Sequence, residues 1–323
     1  MPDGAVHSSL TSDAAIAVVA NARAGSVARL GEDRIRQLVA AGSASCTLTW
    51  SEPEQLEEAL DLAFSSGAAA VAVIGGDGTI RSAAKRSLQS GVPIAPLPGG
   101  TLNILPKLAL GHADLEAAIE EMPRWIVRDM DVGVIGGEPF FLTAACGFAG
   151  ALARMREAWR PPRTWSAVSK ATVACLQGFG PSLRGGVRYQ LGGDIWRNAH
   201  TLVLAVGSVE RVVRADLYQD KSHVTLQAWA LAAQTPLQLL RTAWQATGNW
   251  RDAAGLDVGR AEVIGLRLGN KRPLVVLDGE PVRLSRASEA RLMPGALKVL
   301  GPPLALNTDQ DVSKTDGEGA PWR

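Results

Sequence analysis

The residues best suited to chemistry in the first third of the chain are Gly75, Gly76, Asp77, Gly78 and Thr79. They follow an apolar run, Ala68 to Ile74, that reads as a fully buried strand, and they precede Ile80 to Leu88, which has helix-compatible spacing. Three glycines beside one aspartate and one threonine make a tight strand-to-helix turn. Glycine lacks a Cβ, so the backbone there can take positive φ and lie directly against a ligand. Such a turn also leaves amide N–H groups free at a helix N-terminus, where anions are favoured and phosphate is the obvious candidate. Asp77 would not itself contact phosphate; it can fix the loop, hold a hydroxyl, or help to position a metal ion beside phosphates. A second glycine turn, Pro98-Gly99-Gly100-Thr101-Leu102-Asn103, follows a short strand expected at Val92 to Leu97. Thr101 and Asn103 carry side chains able to hold phosphate or ribose oxygens. Two such turns are more informative than one, since a lone Gly-Gly pair is as often a loop that merely needs positive φ.

The elements that must position these residues alternate regularly. Ala14 to Ala20 is a strand and ends in the polar turn Asn21 to Ser26. Val27 to Ala41 has helical spacing and stops at Gly42. Cys46 to Trp50 alternates as a strand, Ser51 can cap the next helix, and Glu52 to Ser65 is that helix, with acids near its start. Ile104 to Leu110 is expected to be helical apart from its proline. The resulting βαβαβαβα order implies a parallel sheet with helices on both faces and its ligand at the C-terminal strand ends. After Met122 the texture changes to short strands and glycine turns. Trp125 to Ile135 and Pro139 to Ala145 flank Gly136-Gly137, and Val187 to Leu191 and Trp196 to Val206 flank Gly192-Gly193-Asp194. Further strands are expected at Val224 to Leu231, Ala261 to Leu268, Pro273 to Leu277 and Val282 to Leu284, with helices within Phe148 to Phe179 and at Pro236 to Ala246. The fold class is therefore an α/β N-terminal domain with a parallel sheet plus a mainly antiparallel, β-rich C-terminal domain. Residues 1–13 form a flexible N-terminus, 14–128 the α/β domain, 129–304 the β-rich domain, and 305–323 a disordered tail.

A chain of 323 residues suits two domains, and a net charge of +1 speaks against a general nucleic-acid binder. The three cysteines, Cys46, Cys146 and Cys175, have no zinc or CxxC spacing, and reduced thiols in a cytoplasmic protein are the simplest account. Met1 to Asp13 lacks the features of a secretory signal, and no apolar stretch has the length of a spanning helix, so membrane contact is expected to be peripheral. Nine tryptophans against two tyrosines is a skewed usage, read either as bulky core filler or as anchors at a lipid–water boundary. The four histidines show no ligand spacing.

Taken together, the motifs resemble the diacylglycerol kinase catalytic domain family, which includes bacterial lipid kinases, sphingosine kinases and ceramide kinase. Asn21-Ala22-Arg23-Ala24-Gly25 is similar to the family's first-strand motif, with Ala22 in place of a proline. Thr49 falls where a threonine often contacts nucleotide, and Gly75 to Thr79 matches the nucleotide motif without a mismatch. Pro98 to Asn103 resembles the Pro-x-Gly-Thr-x-Asn turn, and Asp129 to Gly133 with Phe140 to Gly147 resembles the family's passage into its second domain. Leu277-Asp278-Gly279-Glu280 matches the late Asp-Gly-Glu motif. The resemblance spans roughly residues 14 to 300 and implies transfer of the ATP γ-phosphoryl group to a lipid hydroxyl, diacylglycerol-like or sphingoid-like, at a membrane surface. It further implies ATP and Mg²⁺ as cofactors and the two glycine turns as the nucleotide site. Asp77 is placed among the catalytic residues, with Glu280 as general base and Asp278 supporting it or touching the metal. By residues alone, and without the resemblance, Asp278-Gly279 reads first as a hairpin turn between Val275-Val276-Leu277 and Val282.

Three departures from the family pattern stand out. Arg81 and Ser82 replace an Asn and a Glu, and Arg81 either reaches phosphate or is solvated. The second turn runs into Ile104-Leu105-Pro106-Lys107 rather than a polar helix start. The segment Asp216 to Lys221 lacks the glycine of the family's structural metal site, which leaves Asp216 and Asp220 as weak metal candidates. Arg154, Arg156, Arg160 and Arg163 with nearby Trp can dock on anionic headgroups or form an ordinary amphipathic helix pair. The alternatives are a kinase of a soluble substrate such as NAD, or an inactive nucleotide- or lipid-binding regulator; oligomeric state is left open, a homodimer among the options. The expected outcome of Asp77→Ala and of Glu280→Ala is loss of lipid phosphorylation in each, and wild-type turnover in either removes that residue from the machinery.

Overall fold

The computed structural model describes residues 15–42, 45–147, 186–207, 225–231, 256–269 and 273–303. Asp216, Asp220, Cys175, the arginines of 154–163 and the helices expected in 148–179 and 236–246 lie outside these bounds.

The first half alternates as its periodicity predicts. Its strands are β1 (Ile16–Asn21), β2 (Cys46–Ser51), β3 (Ala70–Gly75) and β4 (Ile94–Pro98), and its helices are α1 (Gly25–Leu30), α2 (Glu32–Gly42), α3 (Leu56–Ser65), α4 (Asp77–Ser90), α5 (Ile104–Leu110) and α6 (Leu115–Glu121). All four strands are parallel, in the order β2-β1-β3-β4. Every residue of β3 and β4 is buried, as expected for strands covered on both faces. Several boundaries differ from expectation for local reasons. The helix expected at Val27 to Ala41 is two, because Gly31 at φ +81° ends α1. Ser51 caps nothing: it is buried at the end of β2, its hydroxyl donates to the Glu52 carbonyl, and a 3₁₀ turn at Pro53–Gln55 precedes α3. Pro106 sits inside α5 without breaking it, since the N–H it lacks has no partner in a first turn. Helix α6, not anticipated, starts at Asp114, whose carboxylate accepts from the Ala117 N–H at 3.1 Å.

The second half is built from β5 (Ile126–Ile135), β6 (Glu138–Phe140), β7 (Thr143–Gly147), β8 (Val187–Leu191), β9 (Arg197–Ala199), β10 (Thr201–Val206), β11 (Leu226–Leu231), β12 (Leu256–Ala261), β13 (Val263–Leu268), β14 (Leu274–Leu277), β15 (Glu280–Arg283) and β16 (Ala287–Gly301). The expected fold class, a parallel α/β half and an antiparallel β-rich half, is what the structure has. Three runs expected as single strands are each divided between two sheets. Pro139 to Ala145 splits into β6 and β7, Trp196 to Val206 into β9 and β10, and Ala261 to Leu268 leaves Ala261 in β12 and Val263 to Leu268 in β13. The first member of the first two pairs lies in the ten-stranded sheet and the second in the six-stranded sheet β12-β11-β10-β7-β14-β15; the third pair crosses the other way. Strand β16, also unanticipated, pairs antiparallel with β5 and β13 and parallel with β4 at Val299–Ile94, so the ten-stranded sheet runs through both halves.

The two cores are separate clusters. One lies around β1, β3 and β4 and their helices, the other between the two antiparallel layers around Phe140, Leu202, Ile264 and Leu277. Phe140 is fully buried, and a Cβ at Gly133 would fall 2.2 Å from its ring, so the glycine makes room for the ring. Cys146 belongs to this core, and burial pushes its thiol up to about 12, as suits an inert cysteine. Truncating Phe140→Ala is expected to cost about 3–5 kcal/mol of stability, measured by urea unfolding; a loss below about 1 kcal/mol would mean that the ring does not anchor this core.

Candidate functional site

The site is assembled where β1, β3 and β4 end side by side. The chain leaves β1 through Asn21, β3 through Gly75 and β4 through Pro98. The three turns are sewn to one another by backbone hydrogen bonds: Gly99 N–H donates to the Gly75 carbonyl at 2.9 Å, and Ser26 N–H to the Gly99 carbonyl at 3.0 Å. The glycines serve this contact. None of Gly75, Gly76, Gly78, Gly99 and Gly100 has positive φ, contrary to the expectation for such turns. A Cβ on Gly100 would lie 2.6 Å from the Gly76 Cα, one on Gly99 2.8 Å from the Gly75 nitrogen, and one on Gly75 2.6 Å from the Thr79 Cβ. Only because these side chains are absent can the two turns touch backbone to backbone. Gly78 differs: nothing lies within 4 Å of where its Cβ would be.

Helix α4 begins at Asp77 rather than near Ile80, so Asp77, Gly78 and Thr79 form its first turn. Gly76 is its N-cap and supplies no side-chain hydrogen bond. Asp77 is buried, and its carboxylate reaches across to the second turn, accepting from the N–H of Asn103 at 3.0 Å and of Ile104 at 2.6 Å. It thereby takes up N-terminal amides of α5. Of the roles open to it from sequence, fixing the loop is the one seen here. Asn103, at φ +52°, folds its amide back on its own turn, accepting from Gly100 N–H at 2.8 Å and donating to the Gly100 carbonyl at 3.0 Å. Its side chain is thus committed to the turn rather than held out to a ligand. Thr101 is exposed. Asn21 donates to the Thr79 hydroxyl at 2.9 Å and accepts from Arg23 N–H, which ties the first-strand turn to α4. Thr49 is exposed on the edge strand β2 and does not end it; Ser51, in register with Asn21, does.

The late motif comes to the same place. Asp278 at φ +50° and Gly279 at φ +87° form a two-residue turn between β14 and β15, with Leu277 paired to Glu280. It is therefore a hairpin turn as well as a motif. A Cβ on Gly279 would lie 2.8 Å from Leu102 Cδ1, so this turn packs on the second glycine turn. The Asp278 carboxylate accepts from the N–H groups of Phe141, Leu142 and Thr143 at 2.8, 2.8 and 2.9 Å. These are the residues at which the chain crosses from one sheet to the other, and the carboxylate supplies the partners that strand pairing does not. Burial pushes the Asp278 carboxyl above the ordinary carboxylate value, against the pull of those three N–H groups and of Arg81. Glu280 is half-buried and has no hydrogen bond or ion pair among the described residues. Arg81 neither reaches out towards phosphate nor is solvated: it is buried, and its Nη2 donates to the Leu277 carbonyl at 2.7 Å.

Among the described residues no group of three or more His, Cys, Asp or Glu could hold a metal ion, and no helix is long and apolar enough to cross a membrane. Trp125 is buried filler, whereas Trp196 is half-buried against the guanidinium groups of Arg267 and Arg188, at 4.5 and 5.8 Å from its ring centre. The contacts that sequence reasoning missed are Leu102 on Gly279 and Arg81 on Leu277, both between segments far apart in the chain.

Residues 15–135 match the family model of the diacylglycerol kinase catalytic domain, the family that the motifs resemble. Over most of its length the chain is also similar to a crystal structure of a diacylglycerol kinase from Bacillus anthracis str. Sterne, with a TM-score of 0.61, 17% identity, and coverage of 90% of this chain and 97% of that one. A second crystal structure from the same strain gives a TM-score of 0.63 at 16% identity, again over 90% and 97%. At such identities the likeness is one of fold.

The glycine contacts make opposite predictions at neighbouring positions. Gly100→Ala is expected to lower thermal stability by about 1–3 kcal/mol, because the clash is with backbone. Gly78→Ala is expected to raise it by up to about 1 kcal/mol, since alanine suits a helix and has room. Calorimetry on the two variants checks this; equal effects would contradict the packing of the turns.

Proposed function

We propose that the protein transfers the γ-phosphoryl group of ATP to the hydroxyl of a lipid, working at a membrane surface without spanning it. The observation that carries this reading is the packing of the Asp278-Gly279-Glu280 hairpin onto the second glycine turn through Leu102. That contact joins the hairpin carrying Glu280, which has no hydrogen bond or ion pair among the described residues, to the turn whose amides Asp77 holds. In this reading the division near residue 128 separates a nucleotide side, 14–128, from an acceptor side, 129–304.

The uncapped start of α4 and the open space over Gly78 suit a phosphate group, whose charge the helix end favours. The start of α5 is less available, because Asp77 already occupies its amides. Thr79 and Asn21 fix the floor of that turn through their mutual hydrogen bond. Mg²⁺ needs no protein cage when it arrives with phosphates, so the lack of a carboxylate cluster among the described residues fits it. Asp77, whose oxygens each keep a further lone pair, is the residue that would hold it, and the ion supplies neutralisation of phosphate charge. Glu280 accepts the proton of the attacking lipid hydroxyl, and its freedom from other partners among the described residues leaves its oxygens available for that task. Asp278 acts behind it, holding the hairpin by its backbone contacts.

Incubation of the protein with labelled ATP, Mg²⁺ and a total lipid extract is expected to give a labelled lipid in the organic phase. Label transferred to NAD or another soluble acceptor, or ATP binding with no transfer to any lipid, would overturn this reading.

A further inference from the structure

We propose that Arg81 is the positioning residue that holds the Glu280 hairpin in register with the nucleotide turn. The proposal rests on the reading above for the role of Glu280, and on the following observations for the link itself.

Arg81 lies four residues after Asp77 on α4, so the two share a helix face. Asp77 ties that face to the second glycine turn, and Arg81 ties it to the far half of the chain. Arg81 is only 7% exposed, its Nη2 donates to the Leu277 carbonyl at 2.7 Å, and its Nε has no hydrogen-bond partner among the described residues. A buried cation with an unfilled donor is a poor stabilising device; an apolar side chain of like volume would serve stability as well or better. Its planar fork, however, fixes direction in a way that an apolar contact cannot. The acceptor it chooses is telling. Leu277 is the residue paired with Glu280 across the two-residue turn, so holding its carbonyl fixes the first residue of β15 through a single cross-strand pair. The buried Asp278 carboxylate supplies the compensating negative charge next to it, and that same carboxylate anchors residues 141–143.

The other ties described between the first half and the hairpin half do not duplicate this one. Leu102 on Gly279 is apolar and without direction. Lys85 pairs with Glu138 at 2.6 Å one helical turn further on, but both side chains are partly exposed, where an ion pair contributes little. Arg81 is thus the directional tie between the phosphate-binding end of α4 and the proton acceptor. Ser82, the other departure from the family pattern, points elsewhere and bonds Glu57 on α3 at 3.0 Å.

The test uses the full chain with Arg81→Ala and Arg81→Lys. For Arg81→Ala, kcat for lipid phosphorylation is expected to fall about a hundredfold, as for a reacting group displaced by about an ångström. KM for ATP is expected to stay within about twofold, because the nucleotide turn keeps its own bonds. Arg81→Lys, which keeps the charge without the fork, is expected to recover part of the loss, and it carries the test should Arg81→Ala not fold. Hydrogen exchange read on the same proteins should quicken over residues 275–283 and stay unchanged over residues 75–79. Folded variants with wild-type kcat, an equal loss in ATP affinity, or exchange that rises evenly along the chain would each overturn the proposal. If the wild-type protein phosphorylates no lipid, the functional reading fails by itself; the exchange pattern then decides the link, local quickening at the hairpin sustaining it and none overturning it.

Discussion

The structure depends on a contact between two stretches of bare backbone. Gly75-Gly76 and Gly99-Gly100 meet closely enough that a single added carbon on Gly100 would come within 2.6 Å of the Gly76 Cα. Strands β3 and β4 are neighbours in the sheet, so their exits have to run side by side, and any side chain in either turn would wedge them apart. Once the turns touch, α4 and α5 start at fixed positions relative to each other, Asp77 can span the gap, and Leu102 is presented to the hairpin from the far end of the chain. Glycine earns its place here through absent volume rather than through an unusual φ.

The motif carboxylates divide their labour. Asp77 and Asp278 are both buried, and both spend their oxygens on backbone N–H groups at places where regular pairing cannot satisfy them. For Asp77 that place is the first turn of α5; for Asp278 it is the crossing of residues 141–143 between two sheets. Hydrogen bonds from N–H to a charged carboxylate are stronger than neutral ones, which suits them to corners of the fold. Glu280 is the exception, and its lack of partners among the described residues distinguishes it from the two aspartates more clearly than its place in the motif does.

Local pattern made much of the first half legible. The buried run before Gly75, the alternating Cys46 to Trp50 and the paired glycine turns all reappear as strands and turns close to where they were expected. What local pattern misses is which sheet a strand joins. Trp196 to Val206 reads as one strand because its apolar residues have one period, yet the chain changes sheets at His200. Strand β16 was invisible for a related reason: its Pro294-Gly295 interruption, a bulge with Gly295 at φ +58°, breaks the alternation that marks a strand. At the site, the motif residues could be named from sequence, but their partners could not. That Asn103 turns inward, that Asp77 bonds amides beyond the second turn, and that Arg81 is buried all follow from contacts between distant segments.

Strand β16 has a consequence for how the molecule comes into being. The parallel sheet finds its last neighbour at Val299, some two hundred residues after Ile94, the residue it pairs with. During synthesis the edge of β4 therefore waits, exposed and apolar, until almost the whole of the described chain has left the ribosome. Residues 15–135, although they match a catalytic-domain model, do not close their own sheet. Slow, late closure of this kind is intrinsic to pairings so distant in sequence, and it leaves the open β4 edge of a nascent or truncated chain a place for association with other chains.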